Sequence, residues 1–355
     1  MPTLQILAGD CRETLRSLPD ASVNCCVTSP PYFGLRDYGN KKQIGNEATM
    51  LLYMDNLLSV CREVYRVLRD DGTFWLNLGD SSASTWSCNR RNAVGSEACD
   101  YGSRTNRTVG AIKEKDLMGV PWRMAFALQK AGWYLRQDII WHKPNPMPES
   151  VTDRPTRAHE YIFLLTKRPK YFYDQDAIKE PMSVSSEKRL LQDVSNQVGS
   201  TRANGGAKKN GTMKAVGKLT GAPHGRHELG EVIPPAQRRD KQRGHGRRHD
   251  GFNARWDQME RDEQCSGMRN KRSVWTVAPA NYKEAHFATF PPDLIKPCIL
   301  AGCPQGGVVL DPFGGSGTTG QVALELGRSA ILCELNPDYI GLIRQRCSVT
   351  PGFGV

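Results

Sequence analysis

A doubly wound α/β sheet of seven strands is the fold that this sequence predicts, and three observations point to it. Strand-like and helix-like segments alternate through the first 180 residues and again near the C-terminus. Such alternation builds a largely parallel sheet with helices on both faces. A buried-looking strand at residues 307–311 runs into the turn Pro312-Phe313-Gly314-Gly315-Ser316-Gly317-Thr318-Thr319-Gly320 and then a helical stretch, 321–326. A second apolar run, Val23-Asn24-Cys25-Cys26-Val27-Thr28, ends at Ser29-Pro30-Pro31-Tyr32. Open sheets of this kind bind ligands at the carboxyl ends of their strands, so both turns are expected at the ligand-bearing edge.

The elements follow in order. Residues 5–8 read as a strand ending at Gly9-Asp10, and 12–18 as a short helix. Residues 23–29 form the strand that delivers Ser29. Across 50–68 apolar residues recur at helical spacing, and the pattern stops at Asp70-Asp71-Gly72. A strand is expected at 73–78. The polar stretch 81–115, rich in Ser, Asn and Arg, is expected to be a long mobile loop. Residues 121–131 are helical in pattern, with Pro121 where the first turn has no use for its missing N–H. Strands at 135–141, 161–166 and 329–333 complete the seven.

Charge divides the chain. Residues 181–273 hold 19 Lys/Arg against 10 Asp/Glu, a net +9 of the whole chain's +11. Residues 1–180 and 274–355, whose strands and helices continue one alternating pattern, are expected to be two halves of one domain, and the basic stretch between them, taken by itself, reads as a solvated linker. A positive excess suits a polyanionic partner. No apolar run approaches the length that spans a membrane, and no signal sequence opens the chain, so a cytoplasmic location is expected. The 11 cysteines are odd in number and include no Cys-x-x-Cys pair. Several, such as Cys25, Cys26 and Cys333, lie in strand-like runs and read as buried thiols.

The two turns carry the chemistry. In Ser29-Pro30-Pro31-Tyr32 the prolines fix φ and remove two backbone donors, leaving rigid carbonyls and a hydroxyl. Acceptors of this kind suit a substrate that offers an amino group, and the Tyr32 ring offers a face to a planar base. In the other turn, glycines let backbone approach a ligand closely. The strand that follows ends in Glu334, about where a dinucleotide fold places an acid on ribose hydroxyls. No Gly-Lys-Ser/Thr follows the turn, so a phosphate-cradling loop is not expected. The ligand reads as a nucleoside held by its sugar, with the loop facing a small zwitterionic tail.

Thr28-Ser29-Pro30-Pro31-Tyr32 and Asp311-Pro312-Phe313-Gly314-Gly315-Ser316-Gly317-Thr318-Thr319 resemble the catalytic and S-adenosylmethionine motifs of amino-group DNA methyltransferases. The catalytic motif comes first, which resembles the permuted β class of cytosine-N4 and adenine-N6 enzymes. The resemblance covers residues 1–180 and 274–346. It implies a Rossmann-like methyltransferase sheet, S-adenosyl-L-methionine as cofactor and double-stranded DNA as partner. It implies Ser29, Pro30, Pro31 and Tyr32 as catalytic residues. For the cofactor it implies Asp10 at the adenine, Phe287 as a packing partner, and Asp311, Phe313, Gly315, Gly317, Thr318 and Glu334. Target recognition falls to the basic insert, with Arg238, Arg239, Lys241, Arg243, Arg247 and Arg248 its densest cationic stretch. The block Trp141-His142-Lys143-Pro144-Asn145-Pro146 matches a loop on the DNA side of the pocket, without a catalytic role for His142. A restriction endonuclease partner stays open, as does the oligomeric state; no nuclease motif is visible in this chain.

The implied mechanism follows from amine chemistry. The lone pair of an exocyclic amine is conjugated into the ring, so acceptors at residues 28–30 must pull the nitrogen toward tetrahedral geometry. A base inside a duplex cannot reach such a pocket and must be flipped out. A catalytic Pro-Cys dipeptide, which attack on a ring carbon calls for, is not expected. Ser29 rather than Asp at the first motif position favours cytosine-N4, with adenine-N6 as the alternative. A catalytically inactive DNA-binding protein is the competing reading from another class. A protein-glutamine methyltransferase would typically carry Asn at that position. No metal is expected: His245, His249 and Cys265 have partial zinc spacing without a second Cys pair.

Overall fold

The computed structural model describes residues 1–35, 40, 42–83, 112–113, 115–185, 267–279 and 290–348. The chain divides into two units, residues 1–178 with 271–355, and residues 179–270. In chain order the first unit contains β1 (Leu4–Ala8), α1 (Cys11–Thr14), β2 (Val23–Thr28), α2 (Met50–Val67), β3 (Leu68–Leu78) and α3 (Val120–Lys130). It continues with β4 (Tyr134–His142) and β5 (His159–Thr166). In the second unit β6 (Glu180–Pro181) pairs antiparallel with β7 (Met268–Arg269), and an ion pair from Arg269 to Glu180 at 3.0 Å joins them. The first unit resumes with β8 (Val274–Thr276), α4 (Pro292–Gly302), β9 (Val308–Asp311), α5 (Thr318–Glu325), β10 (Ser329–Glu334) and α6 (Pro337–Ser348).

Eight of these strands form one sheet in the order β1-β10-β9-β2-β3-β5-β4-β8. From β1 to β3 all neighbours are parallel, whereas β5 runs antiparallel between β3 and β4. The seven expected strands are all present. The eighth, β8, pairs with β4 over three residues and is too short to stand out beside the basic insert.

Strand alternation sorts the core onto two faces. Cys26, Phe74, Leu76 and Leu310 pack with α1, α2 and α3. Cys25, Val27, Trp75 and Val309 pack with α4 and α5. Helices thus cover both faces, as a doubly wound sheet requires. The α2 helix shows how. Thr49 Oγ1 accepts from Leu52 N at 3.2 Å as N-cap, and Tyr53, Leu57, Val60, Cys61 and Val64 present one buried stripe.

One boundary differs from expectation. The strand expected at 73–78 begins at Leu68, directly from the end of α2. Asp70-Asp71-Gly72 reads as a turn, yet Lys167 and Arg168 ion-pair with Asp70, and Leu68 pairs with Val23 across an irregular register. With Asp70 paired to the residues that follow β5 and Asp71 to Arg69, the acidic stretch stays extended. The helix expected over 12–18 is a four-residue α1 followed by a 3₁₀ turn at Leu15–Ser17. Cys25, Cys26 and Cys333 are buried and unbridged. Among the described residues no helix is long and apolar enough to cross a membrane. Residues 84–111, most of the expected mobile loop, lie outside the described residues.

Candidate active site

The two motifs meet at the middle of the sheet. β9 and β2 are neighbours, with Cys25 opposite Val309 and Cys26 opposite Leu310. From β9 the chain moves to β10 on one side, and from β2 to β3 on the other. The strand order therefore reverses between them, where open sheets form a crevice at their carboxyl ends. A cavity of about 790 Å³ opens there.

Asp311 ties the motifs together. Thr28 Oγ1 donates to its Oδ1 at 2.5 Å, Thr319 Oγ1 to its Oδ2 at 2.6 Å, and Phe313 N to its Oδ1 at 3.0 Å. Burial pushes the Asp311 carboxyl above its usual range, against the pull of these hydrogen bonds. The residue lines the cavity, but both carboxylate oxygens are engaged within the protein.

At one end the cavity is bounded by Asp10, Phe313, Gly315, Thr318 and Glu334. Gly315 N donates to Glu334 Oε2 at 2.7 Å and Asn336 N to Oε1 at 2.8 Å. Each oxygen of a carboxylate retains a further lone pair, so Glu334 can still accept two hydroxyls. Burial raises its pKa, opposed by those backbone donors. Gly317 stands behind the wall as N-cap of α5 at φ +84°, and a Cβ there would lie 3.1 Å from Ile343 Cα. It shapes the turn rather than the surface. Asp10 caps α1 and is bound by Arg12 through its side chain and backbone N. Burial works against its ionisation, but the hydrogen bonds and charge of Arg12 prevail and hold its carboxyl below the ordinary range. Phe287 lies outside the described residues.

At the other end Ser29, Pro30, Pro31 and Tyr32 line the cavity beside Asn77, Trp141, Lys143 and Glu160. Tyr53 donates its hydroxyl to Pro31 O at 2.9 Å, anchoring the rigid turn to α2. The Tyr32 hydroxyl donates to Glu160 Oε2 at 2.5 Å and lies 3.3 Å from Ser29 Oγ. Asn77 Nδ2 reaches all three groups: Ser29 Oγ at 3.2 Å, Tyr32 Oη at 2.9 Å and Glu160 Oε2 at 3.0 Å. Lys143 Nζ bonds the other oxygen of Glu160 and sits 4.3 Å from the Trp141 ring centre. Burial, then the neighbouring Glu160 charge, push the Tyr32 phenol far up, so it stays neutral and donating. A Cβ on Gly79 would stand 2.6 Å from Tyr32 Cε2, so only glycine lets the ring lie where it does.

Asn77 and Glu160 were not singled out as site residues by sequence, and Lys143 entered only as part of the block 141–146 matched to the DNA side of the pocket. Asn77 is a polar interruption in the apolar run Phe74-Trp75-Leu76-Asn77-Leu78, and Glu160 is an acid at the start of another apolar strand. Those interruptions are the signals that mark them. One Pro-Cys dipeptide does occur, Pro297-Cys298, contrary to expectation. It lies inside α4 with Cys298 buried in the core and its thiol pKa pushed up by burial, away from the cavity. Arg238, Arg239, Lys241, Arg243, Arg247 and Arg248 lie outside the described residues, as do His245, His249 and Cys265.

Comparison with known proteins agrees with this geometry. Residues 23–345 match the family model of the N6/N4 methyltransferases described as DNA methylase. The Type II methyltransferase M.XycI of Xanthomonas campestris pv. cyanopsidis is 41% identical over 341 residues, spanning 96% of this chain and 86% of the relative. M.SmaI of Serratia marcescens is 40% identical over 345 residues, spanning 96% and 90%. Among solved structures, the PvuII DNA methyltransferase (cytosine-N4-specific) superposes with TM-score 0.54 at 18% identity, covering 97% of this chain and 88% of that one. A DNA modification methylase from Thermus thermophilus, complexed with S-adenosyl-L-methionine, gives 0.51 at 22% identity, covering 99% and 97%. These last two share the fold. With a family match across most of its length and relatives near 40% identity over 96% of it, this chain belongs to the N6/N4 DNA methylase family of DNA methyltransferases.

Proposed function

We propose that this protein transfers the methyl group of S-adenosyl-L-methionine to the exocyclic N4 amine of cytosine, in a nucleotide flipped out of double-stranded DNA. One observation carries the reading. The acceptor-rich turn Ser29-Pro30-Pro31-Tyr32 and the acid Glu334 border a single cavity, and the Thr28–Asp311 hydrogen bond ties the strand that delivers Ser29 to β9, which lies between it and the strand that ends in Glu334.

The residues fit the cofactor. Glu334 has acceptor capacity left for two ribose hydroxyls, Asp10 and Phe313 flank the nucleoside, and the turn at Gly315 faces the amino-acid tail. When bound, S-adenosylmethionine supplies an electrophilic methyl on a positively charged sulfur. Phe287 is assigned to the same pocket by its place before α4. Ser29 Oγ, with the backbone carbonyls of Thr28, Ser29 and Pro30, accepts the amino hydrogens of the target and frees the nitrogen lone pair. Tyr32 stacks on the extruded base. Alignment of the amine with the methyl then dominates the rate.

The serine hydroxyl at position 29 favours cytosine over adenine, because a carboxylate there would be the stronger acceptor. The basic insert, residues 181–273, is assigned to DNA, with Arg238, Arg239, Lys241, Arg243, Arg247 and Arg248 on phosphates. A restriction endonuclease of matching specificity is the partner this reading proposes. Sequencing of DNA from cells expressing the protein, with detection of modified bases, tests it. N4-methylcytosine at one recurring sequence is expected. N6-methyladenine there would move the target base, and unmodified DNA with tight binding would make the chain an inactive DNA-binding protein.

A further inference from the structure

We propose that Ser29, Tyr32 and Glu160 form a proton relay, with Glu160 as the terminal acceptor of the proton that the methylated amine must lose. The inference rests on the amine-methylation reading above and adds a residue and a step to it.

An amine that attacks a methyl group has one proton too many. As the N–C bond forms, the S–C bond breaks and its electron pair returns to sulfur, which becomes a neutral thioether. The positive charge passes to the nitrogen, which must shed a proton. Ser29 Oγ is the side-chain acceptor at the turn, but a serine hydroxyl cannot hold a second proton near neutral pH. It can take one only while passing its own on.

The structure gives that proton a direction. Ser29 Oγ lies 3.3 Å from Tyr32 Oη, and Tyr32 Oη donates to Glu160 Oε2 at 2.5 Å. Hydroxyls both donate and accept, whereas an ionised carboxylate only accepts. The other groups facing this chain are donors. Asn77 Nδ2 reaches all three oxygens, and Lys143 Nζ ion-pairs with the remaining oxygen of Glu160. Neither Asn77 Nδ2 nor the Lys143 ammonium can take a proton, so the chain ends at Glu160. In the balanced step the nitrogen's proton moves to Ser29 Oγ, the serine proton to Tyr32 Oη, and the tyrosine proton to Glu160. The carboxylate becomes a carboxylic acid, and both hydroxyls are restored. The 3.3 Å link is longer than a good O–H···O bond. Catalytic hydrogen bonds are often long before substrate arrives and tighten in the reacting complex.

Packing supports a role in the reaction rather than in stability. The Glu160 side chain is only 13% exposed and that of Lys143 21%. A buried ion pair contributes little net stability compared with apolar residues of similar volume. Asn77 Oδ1 is also buried without a hydrogen-bond partner, a cost that a purely structural network would avoid. Glu160 is thus a positioning residue that reaches the amine through Tyr32 and Ser29.

The test uses the full-length protein, duplex DNA and S-adenosylmethionine at saturation, under single-turnover conditions across a pH series. Tyr32→Phe keeps the ring and removes the relay oxygen, while Glu160→Gln keeps the shape and removes the acceptor. Each is expected to slow methyl transfer about 100-fold, the lower end for proton-transfer catalysis. Cofactor and DNA dissociation constants should stay within about twofold of wild type, since neither variant alters the Glu334 end. The double variant should be no slower than the slower single variant, because both break one chain. The wild-type rate should fall as pH drops, and this acid limb should be missing in Glu160→Gln. A Tyr32→Phe protein at wild-type rate overturns the relay, as do additive losses or an unchanged acid limb in Glu160→Gln. A wild-type protein that methylates no amine overturns the underlying reading and the relay with it.

Discussion

At the scale of single residues, Glu334 and Tyr32 line one cavity, and the different roles proposed for them mean that their variants should separate cleanly. Glu334→Ala removes a charge-assisted acceptor, with an expected loss of cofactor affinity on the order of 1.5–3 kcal/mol. Calorimetric titration with S-adenosylmethionine checks it, and undiminished affinity would remove Glu334 from the ribose. Gly79→Ala pushes a methyl into the Tyr32 ring, because the new Cβ would stand 2.6 Å from Cε2. Overpacking of this kind costs about 1–3 kcal/mol and should displace the hydroxyl from Glu160. Turnover is expected to drop while cofactor affinity holds, and a fully active Gly79→Ala protein would mean the ring position is unimportant. The residues legible from sequence were those in the two motif runs, Ser29 to Tyr32 and Asp311 to Thr319, with Asp10 and Glu334 at the ends of strand-like segments. Asn77, Lys143 and Glu160 reach the same point from β3, the end of β4 and β5, and only strand pairing brings them together.

At the scale of elements, the central fact is the hydrogen-bonded clamp between β2 and β9. Asp311 accepts from Thr28 on β2, from Thr319 at the start of α5 and from the turn between. Its folded-state pKa is raised above the ordinary 3.8. The native state then binds more protons than the unfolded chain over the interval between the two values, so stability falls as pH rises through it. Asp311→Asn cannot ionise and escapes that trend, although it turns one hydrogen bond around at Thr319. Thermal unfolding of both proteins at about pH 4 and about pH 7 should show the gap shifting in favour of Asp311→Asn at the higher pH. A gap independent of pH would contradict the assigned direction. The seven long strands were legible because their apolar runs are bounded by Gly, Pro and Asp. The start of β3 was not, because Asp70 and Asp71 look like a turn until Lys167 and Arg168, which follow the neighbouring strand β5, pair with Asp70.

At the scale of the whole molecule, charge and chemistry are divided along the chain. The basic excess is concentrated in residues 181–273, whereas the cavity belongs wholly to the unit formed by 1–178 and 271–355. Charge reversal at Arg238, Arg239, Arg247 and Arg248 should weaken DNA binding and flatten its salt dependence, by about one slope unit for each phosphate that is no longer neutralised. Cofactor affinity should be untouched. Unchanged DNA affinity in a salt titration would return the segment to the role of a linker. The central claim is that the cavity methylates an exocyclic amine, and product chemistry tests it most directly. Purified protein is incubated with duplex DNA and methyl-labelled S-adenosylmethionine, and the digested nucleosides are identified by mass spectrometry. N4-methylcytosine carrying the label is the predicted product; N6-methyladenine would keep the mechanism and reverse the base chosen from Ser29, while 5-methylcytosine would contradict the account.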